Sequence, residues 1–472
     1  MKTPSTKLSS PPPDPDLVEE ISSSLRLLRE IFQEELLSLD PEEREANQIV
    51  YSHGLTFWMF ILQRLGGNTS LSEVIAHVLT QDRDLLPDNK RVREQTLSDN
   101  TGAISRARKR LPLNKILEFS RRVCDYLGQI SEPVIAGRRV FILDGTTISL
   151  SPTKALQKAF PPASNQHGPS VWPMVRLMVA HEMQSGCALL PQVDPMCGPS
   201  KACEARQARR IVTQLPAPSV VLADSNFGIY SVAHHTALAG HTFLFRLSKP
   251  RYRALRKNST LIEEGPRHRT YHVRWEPSRQ DRRSTPGLPA DAALEVVVHE
   301  VELATGVTIY LVSSLELDGP SAAELYRRRY DVEFDIRDLK ITLDIENIRA
   351  KSPEMFQKEL YTSVVAYNLV AQFRRQAAAI SGVPPRRLSF KGVWTTFKYR
   401  LLFQPHCSVA EWFQRYETAL ERAAKRKHPQ RKKPRSFPRI AHRRSQKTTK
   451  FAKAQRLKKS KENKMPPPEK PK

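Results

Sequence analysis

The sequence predicts an α/β protein in which a mixed sheet is flanked by helices. Short runs of β-branched and apolar residues, typical of buried strands, alternate with longer stretches in which apolar residues recur every three or four positions, as in helices. With 472 residues and 39% hydrophobic side chains, the chain can bury a sizeable core and form two or three domains. Strands and helices mixed in this way predict a sheet with helices packed against it.

The first 132 residues predict an all-helical domain behind a short leader. Residues 1–16 are rich in Pro and Ser, a composition typical of disorder. The expected helices are Leu17 to Leu39, Ala46 to Leu65, Leu71 to Leu79 and Pro112 to Leu127. The basic segment Lys90 to Arg110 lies before the last of these helices. It either faces the phosphates of a nucleic acid or is a solvated basic surface.

The middle of the chain predicts the sheet. Strands are expected at Arg139 to Leu143, Trp172 to Val179, Cys187 to Val193, Ser219 to Ala223 and Thr242 to Leu247. A helix is expected from about Lys201 to Leu215. Residues 249–313 contain Pro, Arg and Gly before two further strands, Leu294 to Leu303 and Val307 to Ser313. We therefore expect a domain of residues 133–248 and 314–382 with a β-rich insertion at 249–313.

The last part of the chain predicts helices and then a basic tail. Long helices are expected from Ser321 to about Leu343 and from Pro353 to Ile380, followed by shorter C-terminal helices over 383–421. Residues 422–472 contain 21 Lys and Arg against two acids, so they carry +19 of the total charge of +26. This composition predicts a disordered tail with a polyanionic partner, either nucleic acid or an anionic membrane surface.

Membrane insertion, export and a disulfide framework are not expected. The sequence contains no run of 18 consecutive apolar residues, and no apolar segment follows the start of the chain. The five cysteines are odd in number and lack paired C-x-x-C spacing, which favours neither disulfides nor a structural zinc site. We expect a soluble protein of a reducing cytoplasm.

Two aspartates are expected at the ends of buried strands. Asp144 follows Phe-Ile-Leu, and Asp224 follows Val-Leu-Ala. Open α/β sheets place their chemistry at such strand ends, although an isolated Asp there more often caps a turn. Carboxylates that converge from rigid elements are the ligands that hard divalent cations require in two-metal phosphoryl transfer.

The predicted helix at 321–343 adds a third carboxylate. At 100° per residue, one polar stripe contains Tyr326, Arg329, Glu333 and Lys340. An apolar stripe beside it contains Leu325, Val332, Ile336 and Leu339. The other acids, Asp331, Asp335 and Asp338, fall elsewhere and are expected to face solvent. The periodicity leaves open whether the polar stripe is only a set of i,i+4 ion pairs, above all Arg329 with Glu333.

The pattern Tyr326-x2-Arg329-x3-Glu333-x6-Lys340 resembles the Tyr-Arg-Glu-Lys signature of the insertion-sequence-four family of DDE transposases. The order Asp144, Asp224, Glu333 is similar as well, and that family is known for a β-rich insertion before its Glu. The resemblance extends over about Arg138 to Leu369. It implies an RNase H-like fold and a bacterial enzyme that nicks transposon ends with two Mg²⁺ or Mn²⁺ ions and joins the freed 3′-OH to target DNA.

The resemblance also implies roles for individual residues. Asp144, Asp224 and Glu333 would bind the metal ions, and Tyr326, Arg329 and Lys340 would hold phosphates near the cleaved strand. Arg246 is a further candidate for DNA contact, or else a surface cation. Relatives that form DNA hairpins stack a flipped base on an aromatic residue of the insertion; Trp275 is the candidate here, although packing within a strand would explain it equally.

The implied partners are double-stranded DNA, both transposon ends and target, and a second copy of the chain on that DNA. The helical N-terminal domain would recognise the ends, and the protein would work in the bacterial cytoplasm, at the nucleoid. Two alternatives stay open: a nuclease of the same fold that no longer joins strands, and a catalytically dead DNA-binding derivative. The intact Asp, Asp, Glu set argues against the dead derivative.

Overall fold

A computed structural model describes residues 49–429, apart from 89, 130, 167 and 406. The leader, the helix expected at Leu17 to Leu39 and the chain beyond residue 429 lie outside the described residues. No helix in the described part is both long and apolar enough to cross a membrane.

The described residues between 49 and 132 contain helices and no strand. They are α1 (His53–Leu65), α2 (Leu71–Thr80), the short α3 (Lys90–Arg93), α4 (Thr101–Arg110) and α5 (Leu113–Gln129). Ser and Asn side chains cap α1, α2 and α4 by accepting a backbone N–H of the first turn. Most residues of α1 are buried, which explains its nearly continuous apolar sequence.

A buried carboxylate ties these helices to the long helix α6 (Pro353–Ile380) of the C-terminal half. Glu359 lies 3.1 Å from Nη2 of Arg64 and 2.7 Å from Nη2 of Arg108, and all three side chains are buried. Removing one partner of such a pair leaves an uncompensated buried charge. Arg108 is thus a structural residue, so only the exposed cations of the segment Lys90 to Arg110 can reach an outside partner.

The centre of the fold is a mixed sheet. Its first strands are β1 (Arg139–Ser149), β2 (Pro162–Asn165), β3 (Gly168–Glu182), β4 (Gln192–Pro195), β5 (Ser219–Ala223) and β6 (Thr242–Arg246). Strand β3 pairs with β1 and β4 in antiparallel register, whereas β1, β5 and β6 pair in parallel. The order β4-β3-β1-β5-β6, with only β3 running opposite, confirms the expected RNase H-like mixed sheet.

The expected β-rich insertion extends the same sheet. Its strands are β7 (Ser259–Gly265), β8 (His268–Trp275), β9 (Leu294–Glu302) and β10 (Thr308–Ser313). Strand β10 pairs with β6, and the order β6-β10-β9-β8-β7 is antiparallel throughout. Strand β7 did not stand out in the sequence because nearly all its side chains are exposed.

Two strand boundaries differ from the expectation. Strand β1 does not end before Asp144 but continues to Ser149, because β3 pairs with it along this whole stretch. The strand expected at Cys187 to Val193 is only an isolated bridge at Ala188, and β4 begins at Gln192. Pro191 lies immediately before β4 and cannot donate a ladder hydrogen bond.

Helices flank the sheet. Those between the strands are numbered from α7: α7 (Lys154–Ala159), α8 (Glu204–Ile211), α9 (Tyr230–Leu238), α10 (Lys249–Arg256) and α11 (Arg279–Ser284). The helix expected at 321–343 is one helical stretch that changes pitch: α12 (Gly319–Arg327), a 3-10 turn (Arg328–Tyr330), α13 (Asp331–Arg337) and a π turn (Asp338–Thr342). The last helices are α14 (Phe390–Phe397) and α15 (Val409–Ala424).

Gly228 provides a test of the packing between β5 and β6. A Cβ at this position would lie 2.1 Å from the backbone carbonyl oxygen of Arg246, which cannot move without displacing β6. We expect Gly228→Ala to lower the free energy of unfolding by roughly 1–3 kcal/mol, the usual cost of overpacking, as measured by urea titration.

The matched control is Gly54→Ala, because the new Cβ would meet nothing within 4 Å in the first turn of α1. This change should be neutral or slightly stabilising, since Ala favours helix over Gly. Equal stability of both variants and the wild type would contradict the close approach at Gly228.

Candidate active site

Asp224 lies directly after the buried strand β5, as the sequence predicted. Its Oδ1 accepts the backbone N–H of Asn226 at 2.8 Å, so the chain turns sharply at the strand end. Gly228 allows the following loop to pack on the end of β6. From the insertion, Nη1 of Arg251 donates to the carbonyl oxygen of Ser225 at 2.6 Å. The carboxylate therefore sits on a loop that is held from several sides.

Asp144 lies at the same edge of the sheet. The parallel pairing of β1 with β5 ends at Ile142 and Leu222, and Asp144 follows two residues later, while β1 continues against β3. Its Oδ1 accepts the backbone N–H of Gly145 at 2.8 Å. Because parallel strands end at a common edge, the sheet itself brings Asp144 and Asp224 to one place.

Arg329 connects Asp144 to Glu333. Its Nη2 donates to Oε1 of Glu333 at 2.9 Å, and its Nη1 lies 3.9 Å from Oδ2 of Asp144. The Arg329 side chain is buried, whereas 56% of the Glu333 side chain is exposed. The i,i+4 ion pair considered from the sequence is therefore present. It is not only a surface pair, because its arginine also lies near Asp144 of the sheet.

The charges of the site influence one another. Burial raises the pKa of Asp144 from 3.8 to about 6, and the negative charges of Asp224 and Glu333 add to this effect. The N–H of Gly145 and the guanidinium of Arg329 act in the opposite direction. A partly buried carboxylate with two further acids near it is the kind of setting in which functional sites shift pKa values.

The other signature residues lie around this centre. Tyr326 is buried, and burial raises the pKa of its hydroxyl. The charges of Arg329 and Arg246 lower this pKa, whereas the charge of Asp224 raises it further. Nζ of Lys340 lies 3.3 Å from the carbonyl oxygen of Thr147 on β1 and 2.8 Å from Glu346.

Arg246 is the last residue of β6 and pairs with Leu311 of β10. The polar stripe predicted from the sequence also faces the sheet edge that carries the aspartates, since Tyr326, Arg329 and Lys340 all lie near it. The 3-10 turn changes the pitch of this stripe.

Trp275 is part of the core of the insertion. Only 7% of this residue is exposed, and its ring contacts that of Tyr230 edge-on, with 5.6 Å between the centroids. Of the two interpretations of Trp275, this position favours packing over a free face for a flipped base, because alternate residues of β8 are buried.

The acids on the other faces of the catalytic helix correct a second expectation. Asp335 is fully buried and Asp338 nearly so, instead of facing solvent. Asp335 accepts hydrogen bonds from Arg386 and Arg374, whereas burial raises the pKa of Asp338 to about 6. The sequence could not show this because both arginines lie far along the chain.

Glu204 also lies at the site and was not predicted. A Cβ at Gly145 would meet its Oε1 at 3.1 Å, and its Oε2 accepts from Nδ2 of Asn226 at 3.5 Å. Glu204 therefore lies between Gly145, which follows Asp144, and Asn226, which lies two residues after Asp224. An acid in the first turn of a helix is common, so no sequence pattern distinguished Glu204.

The donor set fits a divalent cation, although the side chains are not arranged as a closed metal cage. Within the described residues, no three Asp, Glu, His or Cys side chains stand close enough together to hold an ion. The guanidinium of Arg329 occupies the space between two of the carboxylates. Oxygen ligands from Asp144, Asp224 and Glu333 are those that hard cations prefer, and the charges of Asp224 and Glu333 add to the burial that raises the pKa of Asp144.

The central part of the chain matches known proteins. The family model "Transposase DDE domain" matches residues 135–369, a stretch that contains all three carboxylates and the insertion. The chain is 24% identical over 297 residues to the transposase InsG of insertion sequence element IS4 from Escherichia coli strain K12. That match covers 61% of this chain and 64% of the relative, so the chain spans less than two thirds of the relative's length.

The chain belongs to the DDE transposases. Within them it is of the IS4 type, in agreement with its Tyr-Arg-Glu-Lys pattern. DDE transposases generally use divalent metal ions. A solved structure, the piggyBac transposase synaptic complex with hairpin DNA, covers 92% of this chain and 89% of its own at 11% identity, with a TM-score of 0.38. That likeness is too distant to support an argument.

The pKa of Asp144 predicts a pH-dependent stability in the absence of metal. Because the folded-state pKa lies above the ordinary 3.8, the folded protein holds this proton more tightly, and stability is lost as the pH rises from about 4 to about 6. In EDTA, Asp144→Asn should therefore be more stable than the wild type at pH 7 by on the order of 2 kcal/mol.

Urea titrations at pH 4 and pH 7 measure this difference, which should nearly vanish at pH 4. The exposed Asp291→Asn is the control and should change stability little at either pH. A wild type that is as stable as Asp144→Asn at pH 7 would contradict the raised pKa of Asp144.

Proposed function

We propose that this protein is an active DNA transposase of a bacterial insertion sequence, which cleaves the element's ends and joins the 3′-OH to target DNA. The observation that carries the proposal is that Asp144 and Asp224 follow the parallel pairing of β1 and β5 at one sheet edge, while the buried Arg329 connects Asp144 to Glu333. A family of phosphoryl-transfer enzymes with this carboxylate order supports it.

Asp144, Asp224 and Glu333 would hold two Mg²⁺ or Mn²⁺ ions. Bound divalent ions supply charge neutralisation at the attacking and leaving oxygens of a phosphodiester. Strand β1 and the Asp224 turn fix two of the carboxylates, and the helical stretch fixes the third. Preorganisation of this kind matters because positioning and electrostatics carry most of phosphoryl transfer.

The cations around the carboxylates would bind the DNA backbone. Arg329, Lys340 and Arg246 lie near the sheet edge, where they can neutralise phosphates on either side of the cleaved bond. In the structure Arg329 and Lys340 pair with Glu333 and Glu346. Binding of metal and DNA would exchange these internal pairs for contacts with phosphate. Tyr326 would add its hydroxyl beside Arg329.

The assembly proposed for this activity is a homodimer that holds paired transposon ends, with the helical N-terminal region recognising the end sequence. Such a protein would work on chromosomal DNA in the bacterial cytoplasm. These proposals come from the family likeness. Sedimentation of the protein with and without end DNA tests whether it forms a homodimer.

Cleavage of a labelled duplex that carries the element's own ends tests the metal assignment. With Mg²⁺ or Mn²⁺ present, Glu333→Gln should lose cleavage at least about a hundredfold, because the variant keeps the shape of the side chain but lacks its charge. DNA binding in EDTA should persist.

Glu324→Gln is the matched control, since Glu324 lies on the same helical stretch, is exposed and pairs only locally with Arg327 at 2.9 Å. This variant should cleave like the wild type. Full activity of Glu333→Gln would remove Glu333 from the catalytic set. Cleavage by the wild type without joining of the 3′-OH to a target plasmid would identify a nuclease instead of a transposase.

A further inference from the structure

A basic pocket lies in the C-terminal helices, in a part of the chain beyond the residues matched by the family model. It has a volume of about 350 Å³, and its walls are α14 with the π turn after it (Lys398–Leu402) and the end of α15. The residues that line it are Thr395, Thr396, Tyr399, Arg400, Arg422, Lys425 and Arg426. The lining thus contains four cations and no acid.

The charges of the four cations are not paired within the described residues. All four are exposed, and within the described residues none forms an ion pair with a carboxylate. By contrast, the arginines that serve the fold are buried and paired, as Arg64 and Arg108 are with Glu359. Like charges that converge on one concavity repel one another, so the pocket gains stability when an anion enters.

We propose that this pocket binds a phosphate of the DNA backbone, as a second contact separate from the catalytic centre. Guanidinium groups present several donors in a plane that matches phosphate oxygens, and the ammonium of Lys425 adds a point charge. The exposed hydroxyl-bearing Tyr399 at the rim adds a polar group that phosphate and sugar contacts often use. The identification of DNA as the source of this phosphate rests on the proposed function.

Two features favour DNA over a small free anion. The sequence from Arg426 to residue 472 is strongly basic, which favours a polyanion over a small anion as the partner of this chain. The wall of the pocket is also tied to the N-terminal helices: Nε1 of Trp394 donates to the carbonyl oxygen of Leu65 at 2.9 Å, and Nζ of Lys398 to that of Gly66 at 2.6 Å. The pocket is therefore a fixed part of the fold and can hold a DNA backbone in one position relative to the N-terminal helices.

The test is DNA binding by the triple variant Arg400→Ala, Arg422→Ala, Lys425→Ala, measured as fluorescence anisotropy of a labelled duplex over a series of salt concentrations in EDTA. Loss of one phosphate contact should reduce the slope of log K against log salt by about 0.9 and weaken binding about tenfold at low salt. EDTA removes cleavage from the readout, so failure of the proposed catalysis does not affect it.

The charge-matched control replaces three exposed cations that do not share a pocket, Lys154, Lys158 and Arg279, by Ala. If the control lowers the slope as much as the pocket variant does, the pocket has no special role and the proposal is wrong. Thermal unfolding of both variants shows whether either change acts by loosening the fold.

Chemical labelling of Lys425 separates the two sources of phosphate. DNA should protect this amine from acylation in the wild type, as measured by mass spectrometry, while inorganic phosphate at the same phosphate concentration should not. Protection by inorganic phosphate alone, with an unchanged salt slope in the triple variant, would identify a free-anion site and overturn the assignment to DNA. Absence of protection by either would reject the pocket as a phosphate site.

Discussion

The position of the catalytic helix depends on one buried carboxylate. Asp335 on α13 is completely buried, and Nε of Arg386 and Nη2 of Arg374 donate to it at 3.1 and 3.5 Å. Arg386 also donates to the backbone carbonyl oxygen of Met183, just beyond β3. A buried charge without its partners costs about 3–5 kcal/mol, so this network fixes the rotation of the helix relative to the sheet. Glu333, two residues earlier, is thereby directed outward.

The site combines three elements that approach from different directions. The sheet brings Asp144 and Asp224 to one edge because β1 and β5 run parallel, and the helix brings Glu333. Arg329 is the cation that lets these charges coexist, since it contacts Glu333 and lies near Asp144. Burial still raises the pKa of Asp144, and the charges of Asp224 and Glu333 add a smaller contribution. A bound divalent ion would stabilise the charged form of these carboxylates.

The sequence predicts the parts of this site that depend on local pattern. The position of Asp224 after an apolar run and the stripe of Glu333 and Arg329 both follow from strand and helix periodicity. The burial of Asp335 was missed because charged residues are mostly exposed unless paired, and its partner Arg386 lies far along the chain. The alternation along β8 allowed a packing role for Trp275, but its partner Tyr230 lies far along the chain and could not be identified from the sequence.

The most direct test of the account is a crystal structure of the protein soaked with Mn²⁺, examined by anomalous scattering. We expect a Mn²⁺ peak among Asp144, Asp224 and Glu333, with the guanidinium of Arg329 displaced from its present position between the carboxylates. At saturating Mn²⁺, an intact ion pair between Arg329 and Glu333 and no peak near the two aspartates would contradict the assignment of this sheet edge as the metal centre.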